Sequence, residues 1–274
     1  MCDYIVNSLS AILSSVNISY VKWDMNRNMT EIGSPCLPAE RQRETAHRYM
    51  LGLYKIYEKL TTTFPNILFE GCSGGGGRFD AGTLYYMPQI WTSDDTDAIE
   101  RLKIQYGTSI VYPISTMCSH VSAIPNHQVH RKTSLKMRGD VAMSGNFGYE
   151  LDLTKFTDEE KEAVKKQIES YKDLRELIQF GDMYRLLNPF DGNETSWIIV
   201  SEDKTEAFAT YFRVLATPNE PITKLSLRGL DPDKNYSITG LDGVFGGDEL
   251  MYGGITIPYL EGDYQSITWT LKAN

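Results

Sequence analysis

Residues 66–77 of the chain read NILFEG followed by CSGGGG. The apolar run is typical of a short buried strand, and it ends at polar residues and four consecutive glycines. The segment YVKWD at 20–24 has the same form, because an apolar strand again ends at a carboxylate. The segment IWTSDD at 90–95 is the third of this kind. Successive strands that end in polar groups are typical of the active-site edge of a parallel barrel.

Helical patterns separate these strands. We predict helices from almost the first residue, from Pro38 to before Pro65, over Thr96–Tyr106 with Gly107 as its end, over Ser134–Ala142, and from Thr157 to about Phe180. In the last of these, Thr157 and Glu160 have the spacing of a capping box. Strict alternation of strands and helices predicts parallel strands joined by crossover helices.

About five strands fit the region up to residue 180, with the fourth expected at Ser109–Ser115 and the fifth at Asn146–Leu151. An open doubly wound sheet accepts five strands, whereas a closed barrel needs eight. The polar strand ends favour the barrel. We therefore predict an α/β fold that holds about the last five strands of a (β/α)8 barrel.

The pattern changes near Gly181. From there to Asn274 the chain has short β-prone runs separated by turn clusters such as Asp191-Gly192-Asn193. This pattern is typical of an antiparallel sandwich. We therefore expect two domains, the barrel part at 1–181 and a small antiparallel β-domain at 182–274.

Composition limits the classes of partner. A net charge of −9, from 27 basic and 36 acidic residues, disfavours nucleic acid and anionic membranes. No apolar run approaches the roughly 20 residues of a membrane span. The four cysteines form no CxxC pair, and the first residues lack the features of a signal peptide, so we expect a reducing, cytoplasmic compartment.

Asp24 and Asp94 are candidate catalytic carboxylates. Lys22 and Asp24 alternate along one strand and share a face, so the ammonium is expected to lower the pKa of the aspartate, as suits a nucleophile. A surface ion pair or a helix cap is the alternative. Asp94 follows 70 residues later, two strands further on, where it can approach the ~5–5.5 Å spacing of a retaining glycosidase pair. Asp95 and Asp97 are placed to cap the next helix.

The other candidates differ in what they support. The glycine run fits backbone N–H groups that contact a sugar hydroxyl. A phosphate loop does not fit, because no GK[ST] follows and Arg78 stands where the helix would start. Cys72 and Glu70 are interpreted from the residues alone as a packing group and a structural acid. The spacing of His120, His127 and His130 matches no standard metal site. Trp23 and Trp91 are either sugar platforms or core residues, and the core is favoured.

Three segments resemble the signature motifs of the glycoside hydrolase family 36 α-galactosidases. They are KWDMNR at 22–27, CSGGGGRFD at 72–80 and WTSDDTDA at 91–98. The resemblance implies retaining hydrolysis of small galactosides, with Asp24 as nucleophile and Asp94 as acid/base. It further implies no metal or organic cofactor, and galactose contacts from Lys22, Asn26, Cys72 and Gly75.

Members of this family are usually several hundred residues longer. They carry an N-terminal β-sandwich, a complete barrel and a C-terminal β-domain, and this chain resembles the last part, from the third barrel helix onward. The alternative function is therefore a non-catalytic fragment with at most weak sugar binding. A partial barrel exposes strand edges, so we expect self-association to a homo-oligomer or a partly molten state.

Overall fold

The structure is a computed structural model that describes residues 1–27 and 29–274. It divides into two compact units, Met1–Asp94 and Asp95–Asn274. Neither unit has a helix, among the residues described, with the length and apolar character needed to cross a bilayer.

The first unit alternates helices with three parallel strands. Its elements are α1 (Cys2–Ser15), β1 (Tyr20–Trp23), a 3₁₀ helix (Ala39–Glu44), α2 (Thr45–Thr63), β2 (Leu68–Gly71), a single turn α3 (Ser73–Gly76), α4 (Ala81–Tyr86) and β3 (Gln89–Trp91). In the parallel ladder Lys22 of β1 lies opposite Glu70 of β2, and Glu70 lies opposite Gln89 of β3. The ladder therefore aligns the carboxyl ends of all three strands.

The core of this unit lies between the helices and the strands. Its buried apolar residues are Leu13, Leu53, Ile56, Tyr57, Leu60, Phe69 and Met87. The predicted helix at the start of the chain is confirmed as α1, although Tyr4 and Ile12 of its apolar stripe are 73% and 55% exposed. The strand predicted to be buried at 20–24 is only half buried, because β1 pairs on one side with β2 and lies at the edge of the sheet.

The second unit begins with two more parallel strands and their helices. These are α5 (Ala98–Ser109), a 3₁₀ turn (Ile114–Thr116), β4 (Met117–Ser122), α6 (Leu135–Ala142), β5 (Asn146–Glu150), a 3₁₀ turn (Leu153–Lys155) and α7 (Asp158–Phe180). Strands β4 and β5 pair in parallel. Thr157 and Glu160 form the predicted capping box at the start of α7.

Two local predictions are wrong. The strand expected at Ser109–Ser115 is the end of α5 followed by a turn, and the actual fourth strand is Met117–Ser122. Pro113 cannot donate to a ladder, and Ile110 and Val111 are 62% and 71% exposed. Gly107 does not end the preceding helix, which continues to Ser109.

The rest of the second unit is an antiparallel β-region. Its strands are β6 (Asp182–Leu187), β7 (Glu194–Val200), β8 (Glu206–Arg213), β9 (Lys224–Leu225), β10 (Asn235–Ile238), β11 (Phe245–Gly246), β12 (Ile255–Thr256) and β13 (Gln265–Ala273). Six form one sheet in the order β11-β10-β13-β8-β7-β6, and β12 pairs with β9. Side chains from both sheets share one core. Strands β6 and β11 were not predicted from the sequence.

The buried face of α2 is the first test of this packing. We expect Leu60→Ala to lower the free energy of unfolding by about 2–5 kcal/mol, because it opens a cavity where Leu60 is 1% exposed. Leu51→Ala on the same helix, at a side chain that is 54% exposed, should change it by less than about 0.5 kcal/mol. Urea unfolding of the two variants measures both values, and equal losses would contradict the packing described.

Candidate active site

Three polar positions follow the three aligned strands of the first unit. Asp24 comes directly after β1, Cys72 directly after β2, and Asp94 three residues after β3. The backbone N–H of Cys72 donates to the carbonyl of Trp23 at 3.1 Å, so the ladder of β1 and β2 continues to the start of the polar segment.

The Asp24 carboxylate is surrounded by backbone donors. Its Oδ1 accepts hydrogen bonds from the N–H groups of Met25 at 2.8 Å, Ser73 at 3.1 Å and Gly74 at 3.3 Å. The residue is nevertheless exposed. This arrangement orients the carboxylate without removing it from solvent.

These donors favour the ionised form of Asp24. Desolvation raises the pKa of the carboxyl, but hydrogen bonds from the Cys72 thiol, the Asn26 side chain and the N–H groups of Gly74 and Met25 outweigh it. The net effect holds the pKa of Asp24 below its ordinary value.

Lys22 is held elsewhere than predicted. Its Nζ lies 3.5 Å from Glu70 Oε1 and 4.5 Å from the centroid of the Trp91 ring. The lowered pKa of Asp24 agrees with the sequence prediction. The cause differs, because hydrogen bonds lower this pKa and the prediction had assigned the effect to the ammonium of Lys22.

Glu70 forms the ion pair that holds the ammonium of Lys22. The carboxylate is 3% exposed, and its Oε2 accepts hydrogen bonds from the Tyr20 hydroxyl and, at 3.2 Å, from the Gln89 amide. A buried carboxylate with these partners is a structural acid, as the sequence indicated. Its effect on the site is to fix the ammonium of Lys22.

The glycine run forms a left-handed turn. The φ angles of Ser73, Gly74, Gly75 and Gly76 are 63°, 65°, 73° and 88°. Hydrogen bonds from the N–H of Gly76 to Cys72 O at 2.9 Å and from the N–H of Gly77 to Ser73 O at 3.1 Å close it. Glycine adopts this conformation at little cost, whereas other residues rarely do.

The far side of this turn contacts the Asp94 segment. A Cβ on Gly75 would lie 2.4 Å from the backbone N of Asp94 and 3.0 Å from its Cγ. A Cβ on Gly76 would lie 2.7 Å from the carbonyl oxygen of Thr92. Only residues without a side chain permit this approach, so the glycines serve backbone packing within the site.

Asp94 is exposed, and a buried donor orients its carboxylate. The indole N–H of Trp91 donates to its Oδ1 at 2.9 Å. Trp91 itself is 2% exposed, which favours the core interpretation over a sugar platform. Trp23 packs edge-on against Tyr57 at 5.3 Å between ring centroids.

One turn thus carries most of the predicted site. Asp24 accepts N–H bonds at its start, Gly75 contacts Asp94 at its middle, and Asn26 Oδ1 lies 3.8 Å from the Cβ position of Gly74. Cys72 precedes the turn, and its buried thiol has a raised pKa through desolvation, so it is a neutral donor. The sequence analysis did not predict that the Ser73 N–H donates to Asp24, because the motif does not show that Ser73 adopts a left-handed conformation.

The neighbouring carboxylates, Asp95 and Asp97, accept backbone N–H groups at the start of α5. Asp97 is 3% exposed, and its Oδ1 accepts the N–H groups of Ile99 and Glu100 at the start of α5 and pairs with Arg131. The predicted helix cap at Asp97 is therefore confirmed. Asp95 Oδ1 accepts the N–H of Asp97 at 3.1 Å. Over the residues that the structure describes, no group of three or more His, Cys, Asp or Glu side chains is arranged to hold a metal ion.

Comparison with known families decides the class of this fold. The melibiase family model matches residues 1–181, and the model of the glycosyl hydrolase family 36 C-terminal domain matches residues 194–271. The chain belongs to glycoside hydrolase family 36. It is 64% identical over 273 residues to the α-galactosidase AgaA of Geobacillus stearothermophilus and 53% identical over 271 residues to the α-galactosidase Mel36A of Lactobacillus acidophilus. The matches cover 100% and 99% of this chain but 37% of each relative.

Solved structures of this family have the same fold. The crystal structure of an AgaA variant in complex with raffinose superimposes with a TM-score of 0.98 at 64% identity, over 100% of this chain and 38% of that one. The α-galactosidase of Lactobacillus brevis gives 0.97 at 47% identity over the same shares. These likenesses confirm the predicted fold class, a part of a barrel with five parallel strands and an antiparallel β-region.

The close approach of the turn to Asp94 gives a second prediction. Gly240→Ala, at φ 82° with nothing within 4 Å of the added Cβ, should cost only the left-handed conformation, about 1–2 kcal/mol. Gly75→Ala meets the same cost and also forces the backbone of Asp94 away. We expect Gly75→Ala to lower the free energy of unfolding by clearly more than Gly240→Ala, as measured by urea unfolding. Equal losses of unfolding free energy in the two variants would contradict the close contact between Gly75 and the backbone of Asp94.

The hydrogen bonds to Asp24 give a third prediction. Removing a donor to the ionised carboxylate destabilises the charged form, so Asn26→Ala should raise the pKa of Asp24 toward the ~3.9 of a free aspartate. The hydrogen bonds to ionised Asp24 stabilise the folded chain. Because the pKa of Asp24 is lower in the folded chain than in the unfolded one, this stabilisation is present above the unfolded-state pKa and is lost as the pH falls through the folded-state pKa. A carboxyl ¹³C NMR titration measures the shift. Asn66→Ala, at an exposed residue of the same unit, is the control and should leave the titration unchanged.

Proposed function

We propose that this chain is the C-terminal portion of a retaining α-galactosidase, with Asp24 as the nucleophile and Asp94 as the general acid/base. The observation that carries the proposal is that two exposed carboxylates contact opposite sides of one left-handed turn, in a chain of a family whose relatives are α-galactosidases. Double displacement at a terminal α-D-galactosyl residue needs such a pair.

In the first step Asp24 attacks the anomeric carbon. The bond from that carbon to the leaving oxygen breaks as Asp94 gives this oxygen a proton, and a β-galactosyl ester of Asp24 forms. The lowered pKa of Asp24 supports this role, since the carboxylate is ionised at neutral pH and its Oδ1 is already fixed by N–H donors. Oδ2 is the oxygen assigned to the attack.

In the second step a water molecule replaces the leaving group. Asp94 takes its proton, the oxygen attacks the anomeric carbon, and Asp24 leaves as a carboxylate. The Trp91 indole donates to Asp94 Oδ1, so Oδ2 is the oxygen suited to carry the proton. Two inversions at the anomeric carbon give galactose with retained configuration.

Four further residues are proposed to bind the galactosyl unit. Lys22, steadied by Glu70, and Asn26 present polar groups at the exposed side of the site. Cys72, whose thiol donates to Asp24, and Gly75, which lies against the backbone of Asp94, are proposed to contact the sugar from the turn. AgaA has been crystallised with raffinose and with stachyose, which supports small α-galactosides as the substrate class of this chain.

The AgaA complexes also support the pair of roles. The raffinose complex carries an aspartate-to-asparagine substitution and the stachyose complex an aspartate-to-alanine substitution, at positions 70 residues apart. Asp24 and Asp94 are separated by the same 70 residues. Substitutions that slow turnover are a common means of keeping a substrate bound.

The wider organisation is part of the same proposal. We infer a domain boundary at 181/182, and the support for it is that the melibiase match ends at residue 181 and the match to the C-terminal domain begins at residue 194. A cytoplasmic compartment is supported by four free cysteines. The chain spans 37% of the length of AgaA, and the alternative function is a non-catalytic fragment with at most weak sugar binding.

The experiment uses this chain both alone and in a chimera, in which it replaces the matching part of AgaA. Asp24→Asn should abolish hydrolysis of raffinose in the chimera, because an amide cannot form the ester. Asp94→Asn should lower it by about 10²- to 10⁴-fold but retain the first step on activated aryl galactosides. Azide should restore turnover of Asp94→Asn as a galactosyl azide of retained configuration.

Asp95→Asn is the matched control and should keep most of the activity, since this carboxylate is bonded to the N–H of Asp97. If Asp24→Asn or Asp94→Asn left raffinose hydrolysis intact, the roles assigned here would be wrong. Activity of the chimera with none in the isolated chain would favour the alternative function for the chain by itself.

A further inference from the structure

Ser73 is the one residue of the left-handed turn that is not glycine. Its φ of 63° costs an L-residue roughly 1–2 kcal/mol, so neighbouring contacts must hold it. The structure contains such a contact, because Nη1 of Arg78 donates to Ser73 Oγ at 2.7 Å. This bond connects the first and most strained residue of the turn with the segment that follows it.

Arg78 is itself fixed from the opposite side. Its Nη2 donates to the Tyr49 hydroxyl at 3.2 Å, and the guanidinium lies 5.4 Å from the centroid of the Tyr49 ring. Nη2 also lies 3.9 Å from Sδ of Met25, the residue next to Asp24. Tyr49 belongs to α2 and packs against the core of the unit. The guanidinium thus joins the turn to a rigid helix.

We propose that Arg78 is a positioning residue, which holds Ser73 in the left-handed conformation and so aims the N–H groups of Ser73 and Gly74 at the Asp24 carboxylate. The expected effect of Arg78 on catalysis rests on the proposed function. Its role in holding Ser73 does not. Among the described residues, the side-chain contacts of Arg78 are with Ser73, Tyr49 and Met25. It acts through Ser73.

The geometry requires arginine at this position. A planar guanidinium can donate to the Ser73 and Tyr49 oxygens at once while it stacks on a ring. A lysine keeps the charge but has a single ammonium and no planar face. Arg78→Lys therefore separates the geometric role from a general electrostatic one.

The test measures the Asp24 titration by carboxyl ¹³C NMR in this chain, as wild type and as Arg78→Lys and Ser73→Ala. Both variants break the same hydrogen bond from opposite ends, and both leave the titratable neighbours Lys22 and Cys72 in place. We expect the pKa of Asp24 to rise in each, and the double variant to add little to either single one. Arg48→Lys, at a residue of α2 that pairs with Glu44, is the control and should cause no shift.

A second readout uses the AgaA chimera. The value of kcat/KM should fall by about tenfold to a hundredfold in Arg78→Lys, with the acid limb of the pH profile displaced upward. Guanidinium ion added to Arg78→Ala should restore part of it. An unchanged Asp24 titration in folded Arg78→Lys and Ser73→Ala would overturn the proposal. A shifted titration with an Asp24→Asn chimera that is still active would overturn only the proposed function.

Discussion

The site depends on the contact between Gly75 and the backbone of Asp94. With 2.4 Å between the backbone N of Asp94 and the place where a Cβ would stand, no side chain is tolerated at this position. The close approach sets the distance from the turn to the segment after β3, which carries Asp94. The same turn presents its first N–H groups to Asp24. One backbone conformation therefore fixes both carboxylates.

The parallel ladder explains why so much of this arrangement could be predicted from the sequence. Apolar runs that end in YVKWD, NILFEG and IWTSDD mark three strand ends, and parallel pairing brings such ends to one edge. The glycine run between two of them was interpreted as a backbone that approaches a sugar closely. What it approaches, the Asp94 segment, depends on a contact distant in sequence that no local pattern encodes.

The features that were not predicted share this origin. The link from Ser73 through Arg78 to Tyr49 of α2 was not predicted. The low pKa of Asp24 was predicted, but its cause was not. The donors that outweigh desolvation are the Cys72 thiol, the Asn26 side chain and the N–H groups of Gly74 and Met25. The wrong strand at Ser109–Ser115 has a similar cause, because β-branched Ile110 and Val111 fit a strand locally but lie exposed after the helix. The true strand, Met117–Ser122, is less β-prone and is buried by its neighbours. Tertiary contacts override propensity at both places.

The most direct measurement identifies the residue that carries the sugar during turnover. An activated fluorinated galactoside forms a slowly hydrolysed glycosyl ester with the nucleophile of a retaining enzyme. Peptide mapping by mass spectrometry, on the chimera of this chain with AgaA, then locates the added mass. The account predicts a label on the peptide that contains Asp24 and none on that residue after Asp24→Asn. A label on Asp94, Asp95 or Asp97, or a modified galactoside that is hydrolysed with inversion and leaves no label, would contradict it.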